Sequence, residues 1–365
     1  LNKNHVFQIR NPKSEINMMI DIKSAEDSRW DLLALGEILL RFDPGDRRIH
    51  TAREFMVWDG GAEYNVAANA SRVSRRRTAI VTALADNGLG HLAEELARAA
   101  GVDISQILWR DGSATRNGLY FIERGQDLRP PASTFDRAGT AVSQLKPGDI
   151  DWQSIFAGGV RWFHTGGVFT GLSDTTPDVA AEAMIAARGA GTIVSYDLNY
   201  RHSLWGARGG RDAANAVNRE LLASADVVFG AFDFDSVLSH YNEVSFRRAA
   251  EKMTADFPNL KFVVSTLRET HSASRHDLGG ACLAGGQVLR SKDYKNMEVL
   301  DRVGSGDAFA AGFISSMLAS KDVQFALDYG AAQGSLAMTT PGDVSMSTMD
   351  EVLALMQGAG AGAKR

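Results

Sequence analysis

Asp301-Arg-Val-Gly-Ser-Gly-Asp307-Ala-Phe-Ala-Ala-Gly-Phe313 is the segment on which the reading of the whole chain turns. Gly304, Ser305 and Gly306 are small, so the backbone there can approach a ligand closely. A long apolar helix is predicted directly after them. Free amides at a helix N-terminus beside a glycine-rich turn form a site for a phosphate, or for charge developing on one. Asp307 sits at that same N-terminus. The helix dipole favours its ionised form, and an ionised carboxylate can take a proton from a hydroxyl. A base next to an anion hole is the arrangement that phosphoryl transfer to an alcohol needs. The plainer reading is a tight turn with an Asp capping the helix. The segment is not a Walker A loop, because no Gly-Lys-Ser/Thr follows. It is not a dinucleotide fingerprint, because the third glycine is missing and the segment lies late in the chain.

Outward from this segment the sequence alternates between strand-like and helix-like runs. A strand is predicted over Asp31–Leu40, with others at 77–84, 160–164, 192–197, 226–229 and 261–266. Helices are predicted at 61–74, 89–100, 178–188, 246–257, after Asp307, and around 324–339 and 348–356. This alternation predicts an α/β fold: a mainly parallel sheet flanked by helices, with ligands bound beyond the carboxyl ends of the strands. Two stretches break the pattern, near Arg41–Trp58 and Ile107–Phe135, and are expected to pair into a small β-sheet lid. Residues 1–30 read as a loose extension, 31–357 as the folded domain and 358–365 as a flexible Gly/Ala-rich tail.

The bulk numbers limit the partners. The chain has 365 residues, 44% hydrophobic and 23% charged, which is ordinary globular composition. A net charge of -5 argues against a general nucleic-acid binder, while leaving room for a locally positive site. The single cysteine, Cys282, excludes an intrachain disulfide. No run of ~18 uncharged apolar residues suggests a membrane span, and Leu1–Ile20 has no apolar core like that of a secretory signal. The expectation is a cytoplasmic protein with no nucleic-acid or membrane partner.

Asp301–Phe313 resembles the carboxy-terminal signature of the phosphofructokinase-B-type, or ribokinase-like, carbohydrate kinases. Gly60-Gly-Ala-Glu-Tyr-Asn65-Val-Ala-Ala resembles their amino-terminal signature. The two stand in the family's order and spacing, and the likeness extends over nearly all of Leu32–Leu355. Within the family, further segments resemble the 2-keto-3-deoxygluconate kinases: Gly36-Glu-Ile-Leu-Leu-Arg-Phe42, Gly118-Leu-Tyr-Phe121, Phe135-Asp-Arg-Ala-Gly139, Asp197-Leu-Asn-Tyr-Arg-His-Ser-Leu-Trp205 and Thr340-Pro-Gly-Asp343. The resemblance implies a ribokinase-like sheet with a β-sheet lid, and transfer of phosphate from ATP to the terminal hydroxyl of a sugar acid. It also implies Mg²⁺, with a monovalent cation left open, and pairing of lids into a homodimer or higher homo-oligomer.

The resemblance assigns the site residue by residue. Asp307 is the implied catalytic base, with Gly304, Ser305 and Gly306 as its anion hole. Gly60, Gly61 and Asn65 are placed against the sugar hydroxyls. Tyr120 and Arg137 are placed on the sugar acid, where a planar guanidinium suits a carboxylate. Arg201 is placed near that carboxylate or the transferred phosphoryl group, and Asn199 near the phosphates. Thr266 and Arg268, with Gly304 and Gly306, are placed on the nucleotide side. Each has an ordinary structural alternative: a turn for Gly60 and Gly61, packing for Tyr120, a solvated surface charge for Arg137.

One departure stands out. The family's Asn-x-x-Glu, which helps organise metal and phosphates, is replaced by Ala231 and Phe234, with Asp233 and Asp235 nearby as possible substitutes. The metal ligands are therefore left unassigned. His271 and His276 are expected to be surface residues, not ligands. Alternatives to a sugar-acid kinase are a kinase of a neutral sugar such as fructose, and a non-catalytic sugar sensor.

Overall fold

The computed structural model describes residues 20–358. The expectations for 1–19 and 359–365 fall outside the described residues. The chain opens with β1 (Trp30–Leu35), β2 (Leu39–Asp43), β3 (Met56–Gly60), α1 (Ala62–Ser74), β4 (Thr78–Asp86), α2 (Gly88–Ala99), β5 (Val102–Asp111), β6 (Gly118–Glu123) and β7 (Ala132–Asp136). It continues through α3 (Trp152–Ala157), β8 (Val160–Gly166), α4 (Gly167–Thr170), α5 (Thr176–Gly189), β9 (Ile193–Asp197), α6 (His202–Trp205), α7 (Gly210–Leu222), β10 (Val227–Phe229) and α8 (Glu243–Asp256). It closes with β11 (Phe262–Ser272), β12 (Arg275–Ala284), β13 (Gln287–Arg290), β14 (Tyr294–Glu298), α9 (Ser305–Leu318), α10 (Val323–Ala337) and α11 (Met349–Met356).

The large sheet has the order β13-β12-β11-β10-β9-β8-β1-β4-β5, with β14 also on β12. From β11 to β5 every pairing is parallel; β12, β13 and β14 add antiparallel strands at one side. Helices cover both faces. Along β1 the alternation of side chains is visible directly. Leu33 and Leu35 enter a core shared with Phe169, Val179, Leu221 and Phe246, from α4, α5, α7 and α8. Leu32 instead packs with Val66 and Val73 of α1 and with Phe309 and Phe313 of α9. A strand buried on both faces reads as a continuous apolar run. α9 is buried nearly all round, as expected of a helix with little polar surface.

A second, four-stranded sheet has the order β3-β2-β6-β7. The structure differs here from the reading of the sequence in two ways. The run Asp31–Leu40 is not one strand: β1 ends at Leu35 and β2 begins at Leu39 in the other sheet. The break falls at Gly36, where a Cβ would lie 2.5 Å from Glu63 Oε2. Both halves are buried, so periodicity hides the change of sheet. Residues 107–111, expected in the lid, belong instead to β5 and pair with β4; a half-exposed edge strand has the same alternation as a lid strand. Residues 20–29, expected to be loose, are tied down. Ile20 and Ile22 pack on the α9 core, and Arg161 Nε donates to Lys23 O at 2.8 Å. Among the described residues no helix is long and apolar enough to cross a membrane.

Candidate active site

The carboxyl ends of β8, β9 and β10, with β11, border a cavity of about 950 Å³, closed on one side by the small sheet. The N-terminus of α9 enters its wall. Gly304 turns the chain there with φ +76°, and a Cβ at that position would lie 1.9 Å from Asp343 O. No other residue type fits that turn without moving the backbone. The first intrahelical bond runs from Ala308 N to Gly304 O (2.8 Å), so the amides of Ser305, Gly306 and Asp307 precede the helical ladder. At Gly306 a Cβ would meet Arg268 Nη2 at 2.6 Å, so the bare backbone lets that guanidinium lie over the turn.

Asp307 is in the first turn of α9 and on the cavity wall. Asn65 Nδ2, from the first turn of α1, donates to Asp307 Oδ2 at 2.7 Å. Burial pushes the Asp307 carboxyl up to about 7, and the nearby Asp197 and Asp343 add to this; Asn65 and Arg201 oppose it. The sequence pointed to a helix dipole holding the group ionised. In the structure, loss of water outweighs the favourable partners. The result is a stronger base, still substantially ionised near neutral pH. Asp197, at the end of β9, is likewise raised by burial to about 6, against a hydrogen bond from Asn199 N (3.1 Å).

Most of the residues singled out from the sequence meet here. Gly61, Asn65, Tyr120, Arg137, Asn199, Arg201, Thr266, Arg268, Gly304, Ser305, Gly306 and Asp307 all contribute to the wall. Gly60 does not: it lies behind the wall, its Cβ direction blocked by Asp343 Oδ2 at 2.6 Å and Tyr120 Oη at 3.2 Å. The structure shows it in close packing there. Asn65 Oδ1 is buried with no hydrogen-bond partner among the described residues, an acceptor facing the site beside the Asp307 carboxylate. The Arg201 side chain makes no hydrogen bond or ion pair among the described residues, although its charge acts on both Asp197 and Asp307. Arg137 is already engaged: Nη2 lies 2.8 Å from the buried Glu37 Oε2, in a charge contact that lacks hydrogen-bond geometry. Its guanidinium also lies 5.5 Å from the Phe135 ring centre.

Other residues were not assigned a role from sequence. Glu37 and Glu63 are buried carboxyls behind the site; burial raises both, Glu63 to about 8. Their signal was an acid inside an apolar run. Asp343 and Arg302 join the wall as well. At the missing Asn-x-x-Glu, Ala231 and the half-buried Phe234 border the cavity, Phe234 packing on Phe246 (ring centres 5.1 Å apart), while Asp235 accepts from Val237 N and lies 3.0 Å from His240 Nδ1. Only Asp233 of the two acids lines the cavity. His276 is buried, contrary to expectation, and burial lowers its pKa; His271 is half-exposed and lies 2.9 Å from Asp277. Among the described residues no group of three or more His, Cys, Asp or Glu is placed to hold a metal.

The sequence profile of the pfkB family carbohydrate kinases matches residues 31–349. The chain belongs to that family. The 2-dehydro-3-deoxygalactonokinase of Haloferax volcanii is 33% identical over 337 residues, covering 92% of this chain and 99% of that protein. The crystal structure of 2-dehydro-3-deoxygluconokinase from Thermotoga maritima superposes with a TM-score of 0.81 at 33% identity, covering 90% of this chain and 99% of that one. An Escherichia coli protein provisionally called ribokinase II, in complex with ATP and Mg²⁺, shares the fold at 19% identity and TM-score 0.73, covering 90% and 99%. This pfkB chain is thus a carbohydrate kinase with a ribokinase-like α/β fold and a separate small sheet.

The Asp307 environment sets a pH dependence for this kinase. The sequence reading of Asp307 as a base makes its deprotonated carboxylate the active form, and its pKa is raised. The rate constant kcat/KM should therefore climb as pH rises through about 7 and level off above, falling about tenfold per pH unit on the acid side. Asp307→Asn should abolish transfer and leave sugar binding intact. Steady-state kinetics from about pH 5.5 to 8.5 check both; parental turnover in the variant rules out the assignment.

Proposed function

We propose that this chain transfers the γ-phosphoryl group of ATP to the terminal hydroxyl of a 2-keto-3-deoxy sugar acid, the compound class also written 2-dehydro-3-deoxy. The observation that carries this reading is the Asp307 carboxylate held by Asn65 beside the open amides of α9, in a cavity that also presents the unpaired Arg201. The hydroxyl oxygen attacks the γ-phosphorus while its proton passes to Asp307. The bond from phosphorus to the β,γ-bridging oxygen breaks, and ADP leaves with that electron pair. The Gly304–Gly306 turn and Arg268 face the developing charge. Asn199 and Thr266 lie on the nucleotide side, and Gly61, Asn65 and Tyr120 on the sugar side.

The sugar acid is favoured over a neutral ketose by charge. Arg137 and Arg201 both border the cavity, and a neutral sugar gives neither a carboxylate. Because Glu37 already occupies one side of Arg137, Arg201 is the cleaner test. A screen of ADP release should give faster turnover with 2-keto-3-deoxygluconate or its galactonate epimer than with fructose. Arg201→Met should weaken sugar-acid binding by about 1.5–3 kcal/mol, roughly 10- to 150-fold. Fructose as the better substrate would refute the sugar-acid reading, and absence of turnover with every sugar, with binding retained, would favour a sensor.

Mg²⁺ needs only one or two carboxylates, because phosphate oxygens and waters fill its other positions. Asp233 on the cavity wall fits that requirement. When bound, the ion would neutralise the β- and γ-phosphate oxygens. A chelator should remove activity, and Ala231→Asn should lower the Mg²⁺ concentration needed for half-maximal rate. Activity that survives EDTA would contradict this.

The surface of the small sheets supports a reading in which two copies pair through them as a homodimer. β7 is exposed along its whole length, Phe135 is 41% exposed and Met56 60%. A bare edge strand invites pairing, and a two-fold partner covers it symmetrically. Light scattering at micromolar concentration should read about twice the 39.4 kDa chain mass; a monomer would refute it.

A further inference from the structure

Arg41 is the largest charged side chain in the core, with 0% exposure, and it sits on lid strand β2. Its guanidinium reaches three carboxylates from three parts of the chain. Nη1 donates to Asp343 Oδ1 at 2.8 Å, and Nη2 donates to Asp43 Oδ2 at 2.9 Å and to Asp301 Oδ2. Asp301 and Asp343 are the carboxylates that brace the anion-hole turn. Asp301 Oδ1 accepts from Val303 N at 3.1 Å, and Asp343 presses its carbonyl oxygen against Gly304. Asp343 Oδ2 also accepts from Tyr120 Oη, on the cavity wall. Arg124 Nε lies 3.3 Å from Asp43, so the cluster holds two positive charges against three negative ones.

A buried cluster short of positive charge is costly unless each carboxylate has a close cation. A monovalent cation bound beside the turn would draw on Asp301 and Asp343, but both are already committed to the guanidinium. The residues present do not fit such an ion. We infer that Arg41 is a tethered cation that replaces a monovalent metal ion, positioning the Gly304–Gly306 turn and linking it to the lid strands β2 and β6. Arg41 does not border the cavity, so it acts as a positioning residue and not a catalytic one. A merely structural buried ion pair would stabilise the fold without bearing on the turn. The tethered cation predicts a specific exchange between the side chain and added ions.

The test uses the full chain in tetramethylammonium, sodium or potassium chloride at equal ionic strength. It rests on the kinase reading for its rates and carries a second readout, thermal unfolding, that does not. The parent should show the same kcat and the same Tm in all three salts. Arg41→Ala should lose about 100-fold in kcat, the scale of a small misplacement of reacting groups, with a much smaller change in the KM for sugar. Millimolar methylguanidinium or potassium should restore part of that kcat and raise the Tm of the variant, but not of the parent. Arg41→Lys should retain more activity than Arg41→Ala. A parent whose kcat or Tm depends specifically on potassium overturns the inference even if the alanine variant does not fold, and so does an alanine variant with parental kcat. Absence of turnover in the parent in every salt would count against the kinase reading alone, and the Tm comparison would still decide the role of Arg41.

Discussion

The loss of water around Asp307 is the constraint to which the rest of the site answers. The proposed reaction needs a carboxylate close enough to the α9 amides for proton transfer and phosphoryl transfer to occur at one place. Packing the α9 helix into the core achieves this, but burial raises the proton affinity of the group. Asn65 offsets part of the cost with one hydrogen bond, and Arg201 offsets part with charge. Neither neutralises the carboxylate by direct ion pairing, which would lower its basicity. The balance leaves a carboxylate with a pKa of about 7, the range suited to the proposed base.

The same economy of charge extends around the cavity. Arg201 is left without an ion-pair partner, Arg268 lies over Gly306, and Arg137 is held by Glu37. The proposed substrates, with their phosphate and carboxylate groups, would complete the charge balance, so binding would bring compensation that the free protein lacks. Behind the wall the opposite holds. Asp301, and Asp343 at its edge, are already engaged by Arg41, Val303 N and Tyr120 Oη, so the turn they support is braced in the free protein.

The small sheet belongs mechanically to the site and not to a separate unit. β2 carries Arg41 and β6 carries Tyr120, and both reach Asp343. Displacement of the lid strands would therefore be felt at the Gly304 turn. The short segment Gly36-Glu-Ile38 makes this possible by carrying the chain from the parallel sheet into the lid with no long loop between them.

Much of this was legible in the residues alone. Small residues before an apolar helix imply an anion site, Asp307 at its head implies a base, and strand–helix alternation implies a parallel sheet with its site at the carboxyl ends. These are local signals, carried by residue type and spacing along a few turns of chain. The break at Gly36 and the assignment of residues 107–111 to β5 were not legible, because burial on both faces and edge-strand alternation look the same in either sheet. Nor could the segments Gly36–Phe42, Asp301–Gly304 and Thr340–Asp343, however well they matched, reveal that Arg41, Asp301 and Asp343 are one cluster. Those residues lie 260 and 302 positions apart along the chain. Their charges compensate one another only at hydrogen-bond distance in a dry interior, and only the tertiary structure sets that distance.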